Sequence, residues 1–260
     1  MKFSANLGFL WADRPLPDAI RSAKVAGFDA VECHWPYDTP AGDTLAALTE
    51  TGLPMLGLNT RRGPAGENGL SAVPGRETAA RQAIDEALTY ARATGTRAVH
   101  VMAGNSSGPR ARATFVENLT YACAQAGDIT ILIEPLNPYN APGYYLNSTG
   151  LAADIIREVG SVNLRLMFDC YHVQIIEGDV CRRLEALLPL IGHIQIASVP
   201  DRGTPDHGEL DYGHVLARIA ELGWAEPVGA EYMAASDDPD MGWLARYTQT
   251  KGIGKCAPNR

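Results

Sequence analysis

The chain lacks the cysteine pattern of a disulfide framework or a zinc site. Its five cysteines, at positions 33, 123, 170, 181 and 256, are scattered, odd in number and contain no CxxC pair. Closely spaced cysteine pairs are what would indicate either kind of structure. We therefore predict reduced thiols, which are typical of a cytoplasmic protein.

Long apolar runs and an excess of positive charge are also absent. The first residues, MKFSANLGFLWADRP, contain no long apolar stretch, and no run elsewhere is long enough to span a bilayer. We therefore predict neither a signal peptide nor a membrane span. The net charge of −8 and the pI near 5.2 argue against a nucleic-acid partner, because surfaces that bind nucleic acids are basic.

Apolar residues are plentiful, at 46% of the 260 residues. This suits one α/β barrel or two small domains. Strands are predicted over residues 3–7, 28–33, 53–59, 97–104, 129–134, 164–170, 191–197 and 227–232. Helices are predicted over residues 16–27, 44–52, 75–95, 109–126, 148–160, 180–192 and 210–223, with a last helix beginning at 241.

The alternation of strands and helices has a mean period of about 32 residues, close to the length of one strand–helix unit. Eight such units predict a single (β/α)8 TIM barrel over residues 1–247, followed by a mobile tail over 248–260. The alternative is a doubly wound open sheet. That fold needs a glycine-rich turn for a nucleotide after its first strand, and NLGFLWAD offers none.

Four oxygen-bearing side chains stand at or near the ends of the last four predicted strands. They are Glu134 after ITILI, Asp169 after LRLMF, Gln195 within IGHIQIA, and Glu231 after PVGA. Parallel barrel strands end at one rim, so these groups should converge there. Three carboxylates and an amide would need a counter-charge, and Mg²⁺ and Mn²⁺ prefer such oxygen ligands. The sequence therefore predicts a divalent metal site, with Mg²⁺ or Mn²⁺ as its ion.

Seven longer motifs follow one another along the chain. They are FSANL at the start, AGENGLSAVPGRE at 65–77, VHVMAG at 99–104, IEPLNPYNAPGYYL at 133–146, FDCYHVQIIEGD at 168–179, HIQIASVPDRGTPDHGELDY at 193–212 and GAEY at 229–232. In these motifs the chain resembles the hydroxypyruvate isomerase family. That family belongs to the xylose-isomerase-like TIM barrels and includes 2-oxo-tetronate isomerases.

The resemblance implies a metal bound by the same four residues, with Glu134 and Glu231 acting as the acid/base pair. It also implies that Gln195 is the isomerase version of a position where epimerases on this fold tend to carry histidine. The chain departs from the family after GAEY. The family usually has a basic residue and proline there, whereas this chain has Met233 and Ala234.

Three side chains are candidates for substrate contact. His172 lies three residues after Asp169, in the predicted loop after strand six, and the resemblance implies that it contacts a substrate oxygen, as the matching histidine of relatives does. Arg202, in the loop after strand seven, can pair with the carboxylate of an α-keto acid, since arginine binds carboxylates through two hydrogen bonds. Arg61 and Arg62 are rival clamps. His100 lies within strand four, where a structural role and a substrate contact both stay open.

Glu32 is a further acid near a strand end, in strand two. We expect it to hydrogen-bond to residues of the site rather than to take part in the reaction.

These observations predict a metal-dependent isomerase that interconverts hydroxypyruvate and 2-hydroxy-3-oxopropanoate (tartronate semialdehyde) through an enediolate. Alternatives are a 2-oxo-tetronate isomerase or a sugar isomerase or epimerase of the same barrel family. An endonuclease on this barrel would need histidine-rich zinc sites and a basic groove. A non-catalytic sugar-binding protein would need the metal cage alone. The expected partner is a small keto-acid or sugar-acid, and the sequence leaves open whether the chain forms a homo-oligomer.

Overall fold

The computed structural model describes residues 1–64, 66–234 and 241–248, and within them eight strands alternate with helices. The strands are β1 (Phe3–Asn6), β2 (Ala30–Glu32), β3 (Gly57–Asn59), β4 (Ala98–His100), β5 (Thr130–Ile133), β6 (Leu164–Asp169), β7 (Ile191–Ile196) and β8 (Val228–Ala230). The helices are α1 (Leu16–Ala26), α2 (Ala41–Thr51), α3 (Glu77–Thr94), α4 (Gly108–Ala126), α5 (Thr149–Val159), α6 (Cys170–Ile176), α7 (Val180–Leu187), α8 (Tyr212–Glu221) and α9 (Gly242–Thr248).

The strands form one parallel sheet that nearly closes on itself. Its order is β2-β1-β8-β7-β6-β5-β4-β3. The two ends of this order, β2 and β3, meet through backbone hydrogen bonds, such as the 2.8 Å bond from the Leu56 N–H to the Val31 carbonyl. The prediction of a (β/α)8 TIM barrel is therefore confirmed.

Several helix ends follow directly from local sequence. Ser148 precedes α5 and accepts a hydrogen bond from the Leu151 N–H at 3.2 Å, which satisfies one of the free donors of the first turn. Gly27 and Gly160 end α1 and α5 with φ angles of 93° and 65°. Glycine is favoured there because it has no Cβ to clash in the left-handed region. These helices were predicted within one residue of their observed ends.

Two apolar layers have very different sizes. The large one lies between the strands and the surrounding helices and includes Phe3, Phe115 and Phe168. The small one contains only Ala98, Leu132 and Met167, on β4, β5 and β6. Alternate residues of a strand share a face, so the residues two positions further on, His100, Glu134 and Asp169, lie above this small cluster. On the side formed by β4, β5 and β6, the barrel interior is thus apolar near its base and polar towards the carboxyl ends of the strands.

The predicted loop after strand six is wrong, because α6 begins directly after Asp169. The Asp169 side chain accepts a hydrogen bond from the Tyr171 N–H at 2.9 Å and so caps the helix. His172 therefore lies in the first turn of a helix. The helix fixes its backbone, and the contacts of its Nδ1 with Asn137 orient the ring.

Other predictions can be compared with the described residues. Thr248, assigned to the tail, is the last residue of α9, while the rest of the tail lies outside the described residues. Cys33, Cys123, Cys170 and Cys181 are free thiols, as predicted. Among the helices that the structure describes, none has the length and apolarity needed to cross a membrane.

Candidate active site

The predicted site residues come together at the carboxyl ends of the strands. Asp169 lies beside Gln195 in the β6–β7 register, and Gln195 lies beside Gly229, two residues before Glu231. Glu134 follows the last residue of β5. All four predicted metal ligands are buried. The metal and catalytic roles assigned to them stay predictions.

Three of these four side chains carry a buried oxygen atom that has no hydrogen-bond partner among the described residues. The atoms are Glu134 Oε1, Asp169 Oδ2 and Gln195 Oε1. Leaving a buried oxygen without a hydrogen bond costs about 1–3 kcal/mol of folding free energy. A cation bound between these three oxygens would satisfy all of them and balance their negative charge. Glu134, Asp169 and His172 also bring one ligand atom each within 4.8 Å of one another and could hold a metal ion. The donor set is therefore chemically suited to a divalent metal.

Hydrogen bonds to His172 limit its own role. Its Nδ1 accepts a hydrogen bond from the Asn137 backbone N–H at 3.0 Å and lies 2.8 Å from Asn137 Nδ2. A backbone N–H can only donate, so the proton of the neutral ring must sit on Nε2. Nε2 is the atom nearest the acids, 3.7 Å from Asp169 Oδ2 and 4.0 Å from Glu134 Oε1. His172 thus offers an N–H donor to an oxygen rather than a lone pair to a metal.

Glu231 differs from the other acids because both of its oxygens have partners. Its Oε1 accepts a hydrogen bond from Asn6 Nδ2 and lies near His34 Nε2, each at 2.9 Å. Its Oε2 accepts from Arg202 Nη2 at 2.5 Å. Burial alone would raise the pKa of Glu231, but the Arg202 and His34 partners outweigh it and hold that pKa well below its usual range.

The pKa values of the other two acids move in the opposite direction. Burial raises the pKa of Glu134 well above its ordinary value, and the Glu231 and Asp169 carboxylates raise it further. Burial and the Glu231 charge raise the pKa of Asp169 to about 7. The two predicted acid/base residues, Glu134 and Glu231, therefore differ strongly in their affinity for a proton.

Two buried histidines face the acids as neutral rings. Burial lowers the pKa of His100 to about 4, and burial together with Arg202 lowers that of His172 to about 3. Within the described part of the chain, neither ring nitrogen of His100 has a hydrogen-bond partner, and its Nδ1 lies 3.6 Å from Glu134 Oε2. His100 is thus placed to contact a molecule in the site.

The site opens into a small cleft of about 130 Å³. Drug-sized ligands occupy pockets of roughly 300 Å³ or more, so this cleft suits a compound of a few carbon atoms. Apolar walls come from Phe9, Trp35, Met102 and Leu136. Polar groups come from the side chains of Asn59, Asn68, Asn140 and Arg62, together with His34, His100, Glu134, His172, Arg202 and Glu231.

Arg202 is the candidate clamp that lies deepest. Its guanidinium carbon is 4.7 Å from the Phe9 ring centre and 4.9 Å from the Tyr171 ring centre. Arg61 instead forms an exposed ion pair with Glu86 at 2.7 Å. Arg62 lines the cleft, but its Nε donates to Glu67 and Asn68 in its own loop. The geometry favours Arg202 among the three arginines.

The departure at Met233 affects the cleft little. Its side chain is exposed and absent from the cleft walls, whereas its backbone N–H donates to the Arg202 carbonyl at 2.7 Å. Any residue other than proline could make this contact. Met233 therefore supports the Arg202 loop through its backbone.

Sequence reasoning missed several residues of the site. They are Asn6, Phe9, His34 and Asn137. His34 lies two residues after β2, so the strand-end rule that found the acids could have found it. Asn6 is the last residue of β1, but a single asparagine at a strand end does not by itself indicate a functional site. Phe9 and Asn137 act through loop conformations that the sequence pattern does not specify.

Comparisons with known proteins agree with this fold. The chain belongs to the xylose isomerase-like TIM barrel family, whose model matches residues 20–249. It is 42% identical over 255 residues to a 2-oxo-tetronate isomerase of Cupriavidus necator, covering 95% of this chain and 98% of the relative. It is 34% identical over 256 residues to a hydroxypyruvate isomerase of Escherichia coli, covering 95% and 99%.

A solved structure shares the whole fold. It is described as an AP endonuclease of family 2 from Brucella melitensis, is 36% identical, and superimposes with a TM-score of 0.90 over 95% of this chain and 98% of its own. The full-length relatives are named as isomerases, and within its family this chain is an isomerase enzyme.

Proposed function

We propose that the chain is a divalent-metal-dependent isomerase that interconverts hydroxypyruvate and 2-hydroxy-3-oxopropanoate. One observation carries the proposal. Among the described residues, buried oxygens of Glu134, Asp169 and Gln195 lack a hydrogen-bond partner. Arg202 lies 3.7 Å from Asp169 Oδ2, and Arg202 and Glu134 both line a cleft that fits a three- or four-carbon acid. A small molecule with vicinal oxygens and a carboxylate suits this site, because its oxygens can bind the metal and its carboxylate can pair with Arg202.

Glu134, Asp169, Gln195 and Glu231 would hold the metal, with Mg²⁺ or Mn²⁺ as the suitable ion because all four offer oxygen. When bound, the metal would act as a Lewis acid on the substrate oxygens and stabilise the negative charge of the enediolate. The side-chain oxygen of Gln195 suits this role, since its nitrogen is already engaged by Glu32 at 2.8 Å.

The isomerisation moves a proton between adjacent carbon atoms of the substrate. Without a bound metal, Glu134 holds a proton more tightly than Glu231, because burial and the neighbouring carboxylates raise its pKa, whereas Arg202 and His34 outweigh burial at Glu231. A bound metal would lower the proton affinity of Glu134, which would then accept the substrate proton as a carboxylate. Glu231 is a weak base while Arg202 binds it. A substrate carboxylate that takes a hydrogen bond from Arg202 would weaken this ion pair and raise the proton affinity of Glu231, which can then exchange a proton on the other side.

Arg202, His172 and His100 would orient the substrate. Arg202 pairs with its carboxylate, which fixes the position of the reacting carbons. The Nε2–H of His172 donates to a substrate oxygen as negative charge develops there. His100 has both ring nitrogens free of protein partners and can contact a second oxygen.

A second candidate substrate is a 2-oxo-tetronate, one carbon longer. The 42% identity to a 2-oxo-tetronate isomerase exceeds the 34% identity to a hydroxypyruvate isomerase and favours it. The chemistry required is the same, since a carbonyl group moves to the neighbouring carbon. The two candidates differ only in how the far end of the cleft holds the extra carbon.

The test is a paired assay on purified enzyme, with hydroxypyruvate, 2-oxo-tetronate and a neutral ketose, each after chelation and after addition of Mg²⁺ or Mn²⁺. We expect metal-restored turnover on one or both acids and little on the ketose. Equal turnover with and without metal would contradict the metal site. Turnover confined to the neutral sugar would contradict the acid substrate and support a sugar isomerase or epimerase.

An endonuclease activity is not supported. The net charge of −8 opposes binding to a polyanion, and the oxygen-rich donor set differs from a histidine-rich zinc site. The free thiols support a cytoplasmic location.

A further inference from the structure

Glu32 is a buried acid that the proposed reaction does not use. It lies inside the barrel behind the cleft and is absent from the cleft walls. Its carboxylate is nevertheless surrounded by donors: Ser4 Oγ at 3.2 Å, Asn6 Nδ2 at 3.1 Å, His193 Nε2 at 2.5 Å and Gln195 Nε2 at 2.8 Å. So many partners for an acid outside the reaction indicate a role in placing other groups.

The contact with Gln195 has a strict direction. An ionised carboxylate can only accept hydrogen bonds, so the Gln195 amide must turn its nitrogen towards Glu32. The amide is planar, so its oxygen then points the other way. That oxygen is buried, and no residue in the described ranges forms a hydrogen bond with it. Without Glu32, either end of the amide could face the acids.

We propose that Glu32 is a positioning residue that fixes the amide of Gln195 so that its oxygen, not its nitrogen, faces the metal ligands. This rests on the proposed metal site. Partners behind a ligand commonly set its orientation, and their loss costs about 10–100-fold in metal affinity.

The same carboxylate also reaches Glu231. Asn6 Nδ2 donates to Glu32 Oε1 at 3.1 Å and to Glu231 Oε1 at 2.9 Å. Asn6 itself is oriented, because its Oδ1 accepts from the Gly8 N–H at 2.9 Å. Glu32 therefore anchors two of the four proposed ligands, one directly and one through Asn6.

Gly229 makes room for this arrangement. A Cβ at that position would lie 2.8 Å from both Glu32 Oε1 and Gln195 Cγ. Real Cβ atoms do not approach heavy atoms so closely, and both side chains are held by several contacts. Glycine at position 229 of β8 therefore leaves the space that the Glu32 and Gln195 side chains occupy.

The experiment compares Glu32→Gln with the control Glu177→Gln. Glu177 also accepts hydrogen bonds, from the Thr149 N–H and from Arg183, each at 3.1 Å, but it has no link to the ligands. Mn²⁺ binding is measured directly by calorimetry. We expect Glu32→Gln to weaken it by about 10–100-fold and Glu177→Gln to leave it within about twofold of the unmodified chain. An equal loss in both variants, or none in Glu32→Gln, would overturn the proposal.

A double variant tests the direction of the hydrogen bond. In Glu32→Gln with Gln195→Glu, the amide and the carboxylate exchange places, and the bond can form with reversed polarity. We expect this variant to bind Mn²⁺ at least about tenfold more tightly than Glu32→Gln alone, because the two sites are coupled. Failure to recover would mean that Glu32 does not act by orienting residue 195.

Two further measurements test the proposal if Glu32→Gln does not fold or if the chain binds no Mn²⁺. If Glu32→Gln does not fold, Gln195→Glu alone is compared with the double variant. We expect the single variant to bind more weakly because its two carboxylates face each other, and the reverse order would contradict the proposal.

The second measurement needs no metal. The side-chain amide protons of Gln195, assigned by their loss in Gln195→Glu, should exchange slowly with solvent in the unmodified chain and faster in Glu32→Gln. If the unmodified chain binds no Mn²⁺, the proposed metal dependence fails, and this exchange alone decides the positioning role. Unchanged exchange would overturn it.

Discussion

Arg202 and Glu231 form a buried ion pair, with Nη2 and Oε2 2.5 Å apart. The same nitrogen lies 3.7 Å from Asp169 Oδ2. The proposed carboxylate clamp is therefore already engaged by the acids of the site. In the proposed function, a substrate acid would share this arginine with Glu231, and substrate binding would then be coupled to the proton affinity of Glu231.

Replacing Arg202 with methionine should weaken the binding of keto-acids selectively. A charge-assisted hydrogen bond contributes about 1.5–3 kcal/mol, so KM for the acid should rise by roughly 10–100-fold. KM for a neutral substrate should change far less. Steady-state kinetics on both substrate types, with Arg61→Met as the matched control, measures this. Equal losses on both would mean that Arg202 holds Glu231 in place rather than the substrate.

Changing Glu134 or Glu231 to glutamine should reduce turnover by at least about 10²-fold, the lower range for lost general acid–base catalysis. Each change keeps an oxygen and the side-chain volume, so the metal should still bind, although more weakly. Measurements of kcat at saturating Mn²⁺ separate the two effects. Near-full activity of Glu134→Gln in excess metal would show that Glu134 is a ligand only.

Asp169→Asn should act mainly through metal affinity. The side chain caps α6 through Oδ1 and leaves Oδ2 for the proposed metal, and asparagine can keep the cap. We therefore expect activity to recover in part as Mn²⁺ is raised, in contrast to Glu134→Gln. A metal titration of both variants side by side measures the difference. No recovery at any concentration would place Asp169 in the chemical step.

The raised pKa of Asp169 predicts how stability depends on pH without added metal. The folded chain holds this proton up to a pKa of about 7, whereas the ordinary value is 3.8. The group therefore contributes stability below pH 3.8 that is lost as pH rises through about 7.

Metal binding needs the ionised form, so the rise in Tm caused by Mn²⁺ should be larger at pH 7.5 than at pH 5. Thermal unfolding with and without Mn²⁺ measures this, and a rise in Tm that does not depend on pH would contradict it. Asp169→Asn is the control and should show a weaker trend.

The sequence was most informative where local chemistry decides the structure. The caps at Ser148, Gly27 and Gly160 set helix ends, and the apolar runs before Glu134 and Asp169 placed the acids at one rim. Strand lengths were overestimated: residues 53–59 were predicted as a strand, yet β3 covers only Gly57–Asn59. The apolar residues just before a strand cannot be distinguished from the strand by sequence pattern, because both segments are buried.

What the sequence could not reveal depends on contacts between distant elements. α6 has only seven residues, too few for a periodic pattern, and its cap Asp169 was interpreted only as a metal ligand. Two partners of Glu231, Asn6 and His34, come from residues near the other end of the chain. No local pattern records such pairings. The tautomer of His172 likewise depends on a backbone N–H from another loop.

Gly229→Ala should damage both stability and metal binding. The new Cβ would push against Glu32 and Gln195, and overpacking of this kind costs about 1–3 kcal/mol. Gly57→Ala is a matched control within a strand, since its Cβ would meet only the Ala98 carbonyl at 3.9 Å. Denaturant unfolding and Mn²⁺ calorimetry on both variants measure the two effects. A Gly229→Ala enzyme with normal Mn²⁺ affinity would show that Glu32 and Gln195 can move without loss.

The hydrogen bond between Asn6 and Glu231 joins residues 225 positions apart. The constellation around Glu231 is thus complete only when the first and last strands have met, a contact that is among the slowest for a chain to find. During gentle denaturation, loosening of the β1–β8 seam should abolish catalysis while most helices persist. Enzyme activity would then report whether the barrel is closed between β8 and β1, because β8 pairs with both β1 and β7.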